Sequence, residues 1–254
     1  MTAADVDRWL AGWWWRSDNA RPLLVGVPPG SQGPEVMAGW PAVLASTDVV
    51  GVQLPGRGAR LFETPVADLP ELAELITERL RGAVPATWVL AGHCSGSYLA
   101  LEIAHRMAEA GQPPVKLVLS SSRSPSGLAD PTSEQSEAGA DVLDASDDEL
   151  TARLRERGRL PAELGEPEVV AAILAAYRAA VRAAVTYRCT LPPVDVATDI
   201  WWGTTDDTVS RDHMRDWRRY LTTPPREIEF DGARQHFEQP LPAAVRLVEE
   251  MVRA

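Results

Sequence analysis

The sequence predicts an α/β fold, a mostly parallel central sheet with helices on both faces and a helical insertion. Three observations carry that expectation. Short apolar runs suited to buried strands alternate with stretches of helical spacing, the rhythm of βαβ units. Crossovers of that kind are right-handed, which distributes helices over both faces. Between Ser122 and Pro193 the rhythm breaks, and two helical stretches follow with no strand between them. At 254 residues the chain has the length of one sizeable domain, so residues 1–254 are read as one unit with an insertion over about residues 123–193.

The segment from Asp5 to Arg16 reads as a short amphipathic helix or arm whose Trp13, Trp14 and Trp15 pack against the rest. Leu23 to Val27 is the first clear strand. It runs into the turn-rich Pro28-Pro29-Gly30-Ser31-Gln32-Gly33 and then a helix from Met37 to Ala45. Val49 to Leu54 is the next strand, closed by Pro55-Gly56-Arg57-Gly58. Leu72, Leu75, Ile76 and Leu80 share one face of a helix from Leu69 to Val84. The apolar run from Trp88 is a strand. The helix after it carries Tyr98, Leu101, Ala104 and Met107 at regular intervals and stops at Gly111, a glycine C-cap. Val115 to Ser120 is a further buried strand.

Ser124 to Ser146 is polar, rich in Ser, Asp and Glu, and reads as a loop. Residues 147–157 and 166–187 are helical, the second apolar round most of its circumference through Val169, Ile173, Leu174, Tyr177, Val181 and Val185. Such a helix is either a lid over the strand ends, where α/β sheets bind ligands, or part of the main core. Asp199 to Gly203 resumes the sheet, followed by a helix from Ser210 to Tyr220. The strand from Glu227 to Phe230, a loop carrying His236 and a helix from Leu241 to Val252 complete the chain.

Composition narrows the function classes. A formal net charge of −11 argues against a general nucleic-acid binder, whose field is positive. Cys94 and Cys189 are the two cysteines, which implies neither a disulfide scaffold nor a cysteine zinc site. No metal or other cofactor is expected. The start is acidic ahead of its apolar stretch, unlike a secretory signal, and no run reads as the ~18 apolar residues of a membrane span. The expectation is a cytoplasmic protein with no membrane partner.

Chemistry concentrates at Gly92-His93-Cys94-Ser95-Gly96, where a strand passes through a tight turn into a helix. This is the layout of a nucleophile elbow, with Cys94 exposed at its tip beside the free amides of the helix. By itself Gly-x-Cys-x-Gly also fits a small buried thiol. A thiol at neutral pH is only a few per cent thiolate without help, and the usual helper is a histidine oriented by a carboxylate. His93 faces away from the elbow tip, and His105 and His213 lie on helices. His236 lies in a loop just past the last strand, and Asp206 follows the strand ending at Gly203. Nucleophile, acid, histidine is the chain order of the α/β-hydrolase fold, so Cys94, Asp206 and His236 are the candidate catalytic residues. The backbone N–H of Ser95 is one candidate oxyanion donor. Pro28 and Pro29 have no N–H, so Gly30 or Ser31 is the other.

With these residues in place the chain resembles the type II (external, editing) thioesterases of polyketide and nonribosomal peptide assembly lines. The likeness rests on Gln53-Leu54-Pro55-Gly56-Arg57-Gly58 with Arg60, on Asp68-Leu69-Pro70-Glu71-Leu72, and on the elbow. Gly203-x-x-Asp206-x-x-Val209 and His236-Phe237 complete it. The resemblance implies hydrolysis of acyl or peptidyl thioesters carried on the phosphopantetheine arm of an acyl or peptidyl carrier protein. Cys94 would be the nucleophile, His236 the base and Asp206 its orienter. The sequence differs from the family pattern at Cys94, where Ser is usual, at Val27-Pro28-Pro29-Gly30-Ser31-Gln32, and at Ala233-Arg234-Gln235. A cysteine makes the enzyme-bound acyl group another thioester. Transfer or cyclisation onto an amine or hydroxyl is then an alternative to hydrolysis, and a non-catalytic carrier-binding homologue is a third reading. Dienelactone hydrolases and polyhydroxyalkanoate synthases share Gly-x-Cys-x-Gly but do not predict Pro55-Gly56-Arg57-Gly58. Arg153, Arg155, Arg157 and Arg159 are either a patch for an acidic carrier or a solvated helix face.

Overall fold

The computed structural model describes residues 8–12, 21–30, 32–128 and 134–253. Seven strands form one sheet: β1 (Leu10–Gly12), β2 (Leu23–Val27), β3 (Asp48–Val52), β4 (Trp88–His93), β5 (Lys116–Ser120), β6 (Thr198–Gly203) and β7 (Arg226–Phe230). Their order is β1-β3-β2-β4-β5-β6-β7, with β1 antiparallel to β3 and every other neighbour parallel. Parallel strands are covered on both faces, which is why β2, β3, β4 and β6 are buried at every position.

The helices are α1 (Leu69–Leu80), α2 (Gly96–Glu109), α3 (Pro125–Leu128), α4 (Glu134–Asp144), α5 (Asp147–Glu156), α6 (Pro167–Thr186), α7 (Arg211–Arg215) and α8 (Pro242–Met251). α1 and α2 cover one face of the sheet through Leu72, Ile76, Leu101 and Ile103. α8 covers the other through Leu247, Val248 and Met251, with Trp40 and Phe237 beside it. Asp68 caps α1 by accepting from the Glu71 N–H, and Ser146 with Glu149 closes a capping box on α5.

α4, α5 and α6 gather into a cluster of their own around Val142, Leu150, Leu154 and Leu174. α6 lies over the carboxyl ends of the strands. Its base is pinned to the main body where the Tyr187 hydroxyl donates to buried Glu102 at 2.7 Å, with Arg106 on the same carboxylate. Contrary to the sequence expectation that no run reads as a membrane span, α6 is 20 residues long with a mean hydropathy of 1.6 over an 18-residue stretch, the length and composition of a membrane-crossing helix. In this fold Arg178 within it bonds Asp147 at 2.6 Å and the Ala145 carbonyl at 2.7 Å.

Four local expectations are corrected. Residues 37–45 form turns after a 3-10 segment at Pro34–Met37, because Gly39 and Pro41 break the helix that the apolar spacing predicts. Residues 134–144 are helical where a polar loop was expected. The absent side chain at Gly139 lets Val185 of α6 approach, since a Cβ there would meet its methyl at 2.5 Å. After α7, residues Asp216–Tyr220 tighten to 3-10 geometry. In the N-terminal segment, read as a helix or arm, Arg8 and Trp9 are helical and Leu10–Gly12 is an edge strand, while Trp13, Trp14 and Trp15 lie outside the described residues.

Candidate active site

The elbow is built at the end of β4, in the middle of the sheet. Cys94 has φ 52°, a left-handed conformation that a side chain adopts only under strain. The strain is held from several sides. The Cys94 N–H donates to the Ser120 carbonyl at 2.8 Å, and Ser97 Oγ donates to the Gly92 carbonyl at 3.1 Å. The two flanking glycines are needed for close approach. A Cβ on Gly92 would lie 2.6 Å from the Gly96 carbonyl oxygen, and one on Gly96 would lie 2.5 Å from the Val27 and Pro28 carbonyl oxygens. The turn therefore wedges against β2 and presents a half-exposed Cys94 at the start of α2.

Asp206 lies in the loop after β6, half-buried, while Asp207 beside it is exposed. Hydrogen bonds from Thr205 N to the Gly232 carbonyl (2.9 Å) and from Gly232 N to Thr204 Oγ1 (3.1 Å) tie this loop to the one after β7. Asp206 Oδ1 accepts from Thr208 N, Thr208 Oγ1 and Val209 N. Its Oδ2 is buried with no hydrogen-bond partner among the described residues.

His236 ends a 3-10 turn, Arg234–His236, and is 1% exposed. Its ring stacks on Phe230 at 4.8 Å. Nε2 bonds Ser120 Oγ at 2.8 Å, and Nδ1 is buried with no hydrogen-bond partner of full geometry among the described residues. Ser120 Oγ also contacts His93 Nδ1 at 2.9 Å, so one hydroxyl at the end of β5 joins two imidazoles. Burial brings the His236 ring down to about 4 from its ordinary 6.5. The Ala233 carbonyl and Asp206 charge offset this, and the charge on Arg234 adds to it. Completely buried, His93 is driven well below its ordinary value, and stacks on Phe237 at 5.0 Å.

The three candidate catalytic residues lie at the carboxyl ends of β4, β6 and β7, and no hydrogen bond joins Asp206 to His236. Cys94 and His236 share no hydrogen bond in this arrangement. Cys94 is approached instead by Arg234. Burial works against the charge on that guanidinium, but the electrostatic influence of Cys94 and Asp206 raises its proton affinity overall.

On the far side of the elbow the Ser95 N–H makes no hydrogen bond to a described residue, as an oxyanion donor requires. The Gly30 N–H donates to Ser95 Oγ at 2.7 Å. Ser31, the alternative loop donor, lies outside the described residues. Arg57 braces this loop. Its buried guanidinium donates to the Gly30 carbonyl, to the Pro55 carbonyl at 3.1 Å and to the Ala176 carbonyl of α6 at 3.5 Å. Burial lowers Arg57 to about 10, with Glu35 opposing. A narrow cavity of about 30 Å³, room for no more than a few waters, runs between the elbow and α6, lined by Leu54, Leu69, Leu99, Ala180 and Ala184.

Sequence reasoning missed Ser120, because a serine closing a strand carries no distinguishing pattern. It named Arg57 and Arg234 only as points of likeness to and difference from a family. The placement of their charges near the elbow, Arg57 buried and Arg234 half-buried, emerges from the fold.

A family model described as "Thioesterase domain" matches residues 22–245. The protein named "Probable cadicidin biosynthesis thioesterase" from Streptomyces griseus is 32% identical over 200 residues. That match covers 77% of this chain and 52% of the relative, so the chain spans about half the length of the curated protein it matches. Among solved structures, the type II thioesterase BorB from the borrelidin biosynthetic cluster superposes with a TM-score of 0.81 at 29% identity, over 97% of this chain and 98% of that one. The RedJ thioesterase of the prodiginine pathway in Streptomyces coelicolor gives 0.70 at 26% identity, over 95% of both chains. The matched span takes in all but the edge strand of the sheet, together with the elbow and the loops that bear Asp206 and His236. By the family model, which matches most of its length, the chain belongs to the thioesterase domain family.

Proposed function

We propose that the protein is a type II thioesterase that hydrolyses acyl or peptidyl thioesters from the phosphopantetheine arm of a carrier protein, through an acyl group bound to Cys94. The observation that carries this reading is Cys94 itself, held at φ 52° on the elbow tip ahead of α2. The likeness to BorB, a type II thioesterase of a biosynthetic cluster, supports the substrate class.

In the first step the Cys94 sulfur attacks the thioester carbonyl carbon while His236 takes the thiol proton. The carbonyl π pair moves to oxygen, which the Ser95 N–H stabilises. Collapse of the intermediate expels the pantetheine sulfur, which receives the proton from His236. Water, deprotonated by the same imidazole, then attacks the Cys94 thioester carbonyl; the C–S bond to Cys94 breaks, the sulfur takes the proton back from His236, and the acid leaves. For this the ring must turn from Ser120 toward the sulfur. Asp206 Oδ2 and His236 Nδ1, two buried atoms of complementary type with no hydrogen-bond partner of full geometry among the described residues, are the pair that such a turn would join. The acyl chain would run along the cavity between Leu99 and α6, which must widen to admit it. Exposed Arg155, Arg157 and Arg159 are the surface offered to an acidic carrier.

Acyl transfer is a second reading, favoured by the sulfur. A Cys94 thioester stays as activated as the substrate and open to amines as well as water. The two separate in one experiment, in which a carrier protein loaded with an acyl group is incubated with the enzyme, with and without an amine acceptor. Free acid as the main product in both supports hydrolysis, and amide as the main product supports transfer. No release from the carrier, with Cys94→Ala matching the parent, would overturn both in favour of a non-catalytic carrier-binding protein.

A further inference from the structure

We infer that the side-chain hydroxyl of Ser95 is a catalytic residue, the donor that reaches the oxyanion in place of the Gly30 N–H. The inference rests on the Cys94 acyl-enzyme reading and adds a group to it.

An oxyanion bound directly by Gly30 would have to sit about 2.7–3.1 Å from its nitrogen. Ser95 Oγ already lies at 2.7 Å from that nitrogen and accepts its hydrogen bond. The hydroxyl therefore competes for the place where a substrate oxygen would receive the Gly30 proton. The loop has little freedom to withdraw. Arg57 holds the Gly30 carbonyl, and a Cβ added at Gly30 would lie 2.8 Å from Ser95 Oγ and 3.0 Å from the Ala180 side chain of α6. Gly30 is sandwiched between the elbow and α6.

A hydroxyl that accepts one hydrogen bond still has its own proton to give. Ser95 Oγ donates to no acceptor among the described residues, and it lines the cavity beside Gly96, Leu99 and Ala180. Its backbone N–H is likewise unengaged. One residue next to the nucleophile thus supplies two donors, one from the main chain and one from the side chain. The second is polarised by the Gly30 amide behind it, since a hydroxyl that accepts becomes a stronger donor. When the Cys94 sulfur bonds to the carbonyl carbon and the π pair moves to oxygen, the Ser95 proton stays on Oγ and is shared with that oxygen. When the C–S bond to pantetheine breaks, the carbonyl reforms and the hydroxyl is unchanged.

The test is single-turnover acylation of Cys94 by an acyl-N-acetylcysteamine thioester, followed by quenched intact-protein mass spectrometry across substrate concentrations. Ser95→Ala, Ser95→Thr and Cys94→Ala are compared with the parent, and alkylation of Cys94 by iodoacetamide, which forms no oxyanion, is the control. Ser95→Ala is expected to lower the saturating acylation rate about 10- to 100-fold, leaving half-saturation within about twofold and alkylation at the parental rate. Ser95→Thr, which keeps the hydroxyl, restores most of the rate. Acylation of Ser95→Ala at the parental rate or faster would show that the hydroxyl only occupies the site, and an equal drop in alkylation would assign the loss to the elbow; either overturns the inference. A parent that forms no adduct, or a Cys94→Ala variant that turns over normally, would instead remove the reading beneath it.

Discussion

Ser120 Oγ lies 2.8 Å from His236 Nε2 and 2.9 Å from His93 Nδ1, so the ring nitrogen a base would use is engaged by a hydroxyl at the end of the neighbouring strand. A hydroxyl has one proton and can donate to only one of these rings. Breaking this contact is part of the cost of turning His236 onto Cys94. One hydrogen bond is worth about 1 kcal/mol net. Ser120→Ala is therefore expected to raise kcat/KM about fivefold, while leaving His93 Nδ1 unpaired and lowering the Tm. A fall in kcat/KM would show that Ser120 assists the base.

The buried imidazole also sets the acid response of the fold. His236 is held at about 4 in the folded protein and returns to the ordinary 6.5 when unfolded, so between those values the unfolded chain binds more protons. Stability is then fully present above pH 6.5 and declines as pH falls toward 4. The whole interval corresponds to on the order of 3 kcal/mol. His93, lowered in the same direction by burial, contributes with the same sign. Denaturant unfolding at pH 7.5 and pH 5 checks this. His236→Gln should lose less stability between the two than the parent, and an equal loss would contradict the assignment.

Tyr187 is the hinge pin of α6. Its hydroxyl donates to Glu102, which is 2% exposed, and burial together with the Glu102 charge raises the phenol's proton affinity. Tyr187→Phe removes a donor from a buried carboxylate. The expected loss is about 1–3 kcal/mol, read from urea unfolding, with faster proteolysis within α6. A loss below about 0.5 kcal/mol would mean that Arg106 alone satisfies the carboxylate.

Arg57 connects the Gly30 carbonyl to the Ala176 carbonyl of α6 from a buried position. Arg57→Met keeps most of the volume and removes both ties. Misplacing the Gly30 loop by a fraction of an ångström is expected to reduce kcat up to about 100-fold. Arg57→Lys should recover little, since one ammonium cannot copy a fork spread over three carbonyls. Steady-state kinetics with a soluble acyl thioester reads the effect.

Much of this was legible in the chain. The strands were visible because parallel β2, β4 and β5 carry short apolar runs, Leu23–Val27, Trp88–Ala91 and Leu117–Leu119, and the elbow because only glycine can stand at residues 92 and 96. Cys94, Asp206 and His236 were named as candidates from order and strand context. Contacts made across the sheet were not legible. Ser120 and His236 lie 116 residues apart, and no local pattern marks either as the other's partner. The helix at residues 134–144 was hidden for a related reason. Its composition is polar, and what packs it, Gly139 against Val185, is a feature of the folded pair. At residues 37–45 apolar spacing outweighed Gly39 and Pro41, and the chain instead turns there to bond Trp40 Nε1 to the Phe237 carbonyl at 2.8 Å.

The claim on which everything else depends is a covalent acyl group on Cys94. Peptide mapping of enzyme quenched during turnover of an acyl thioester measures it directly. The expected result is a transient mass increase equal to the acyl group on the peptide containing Cys94, cleared by water and absent from an inactive Cys94→Ala. Turnover by Cys94→Ala at the parental rate, with no acyl group found at residue 94 in the parent, would contradict it.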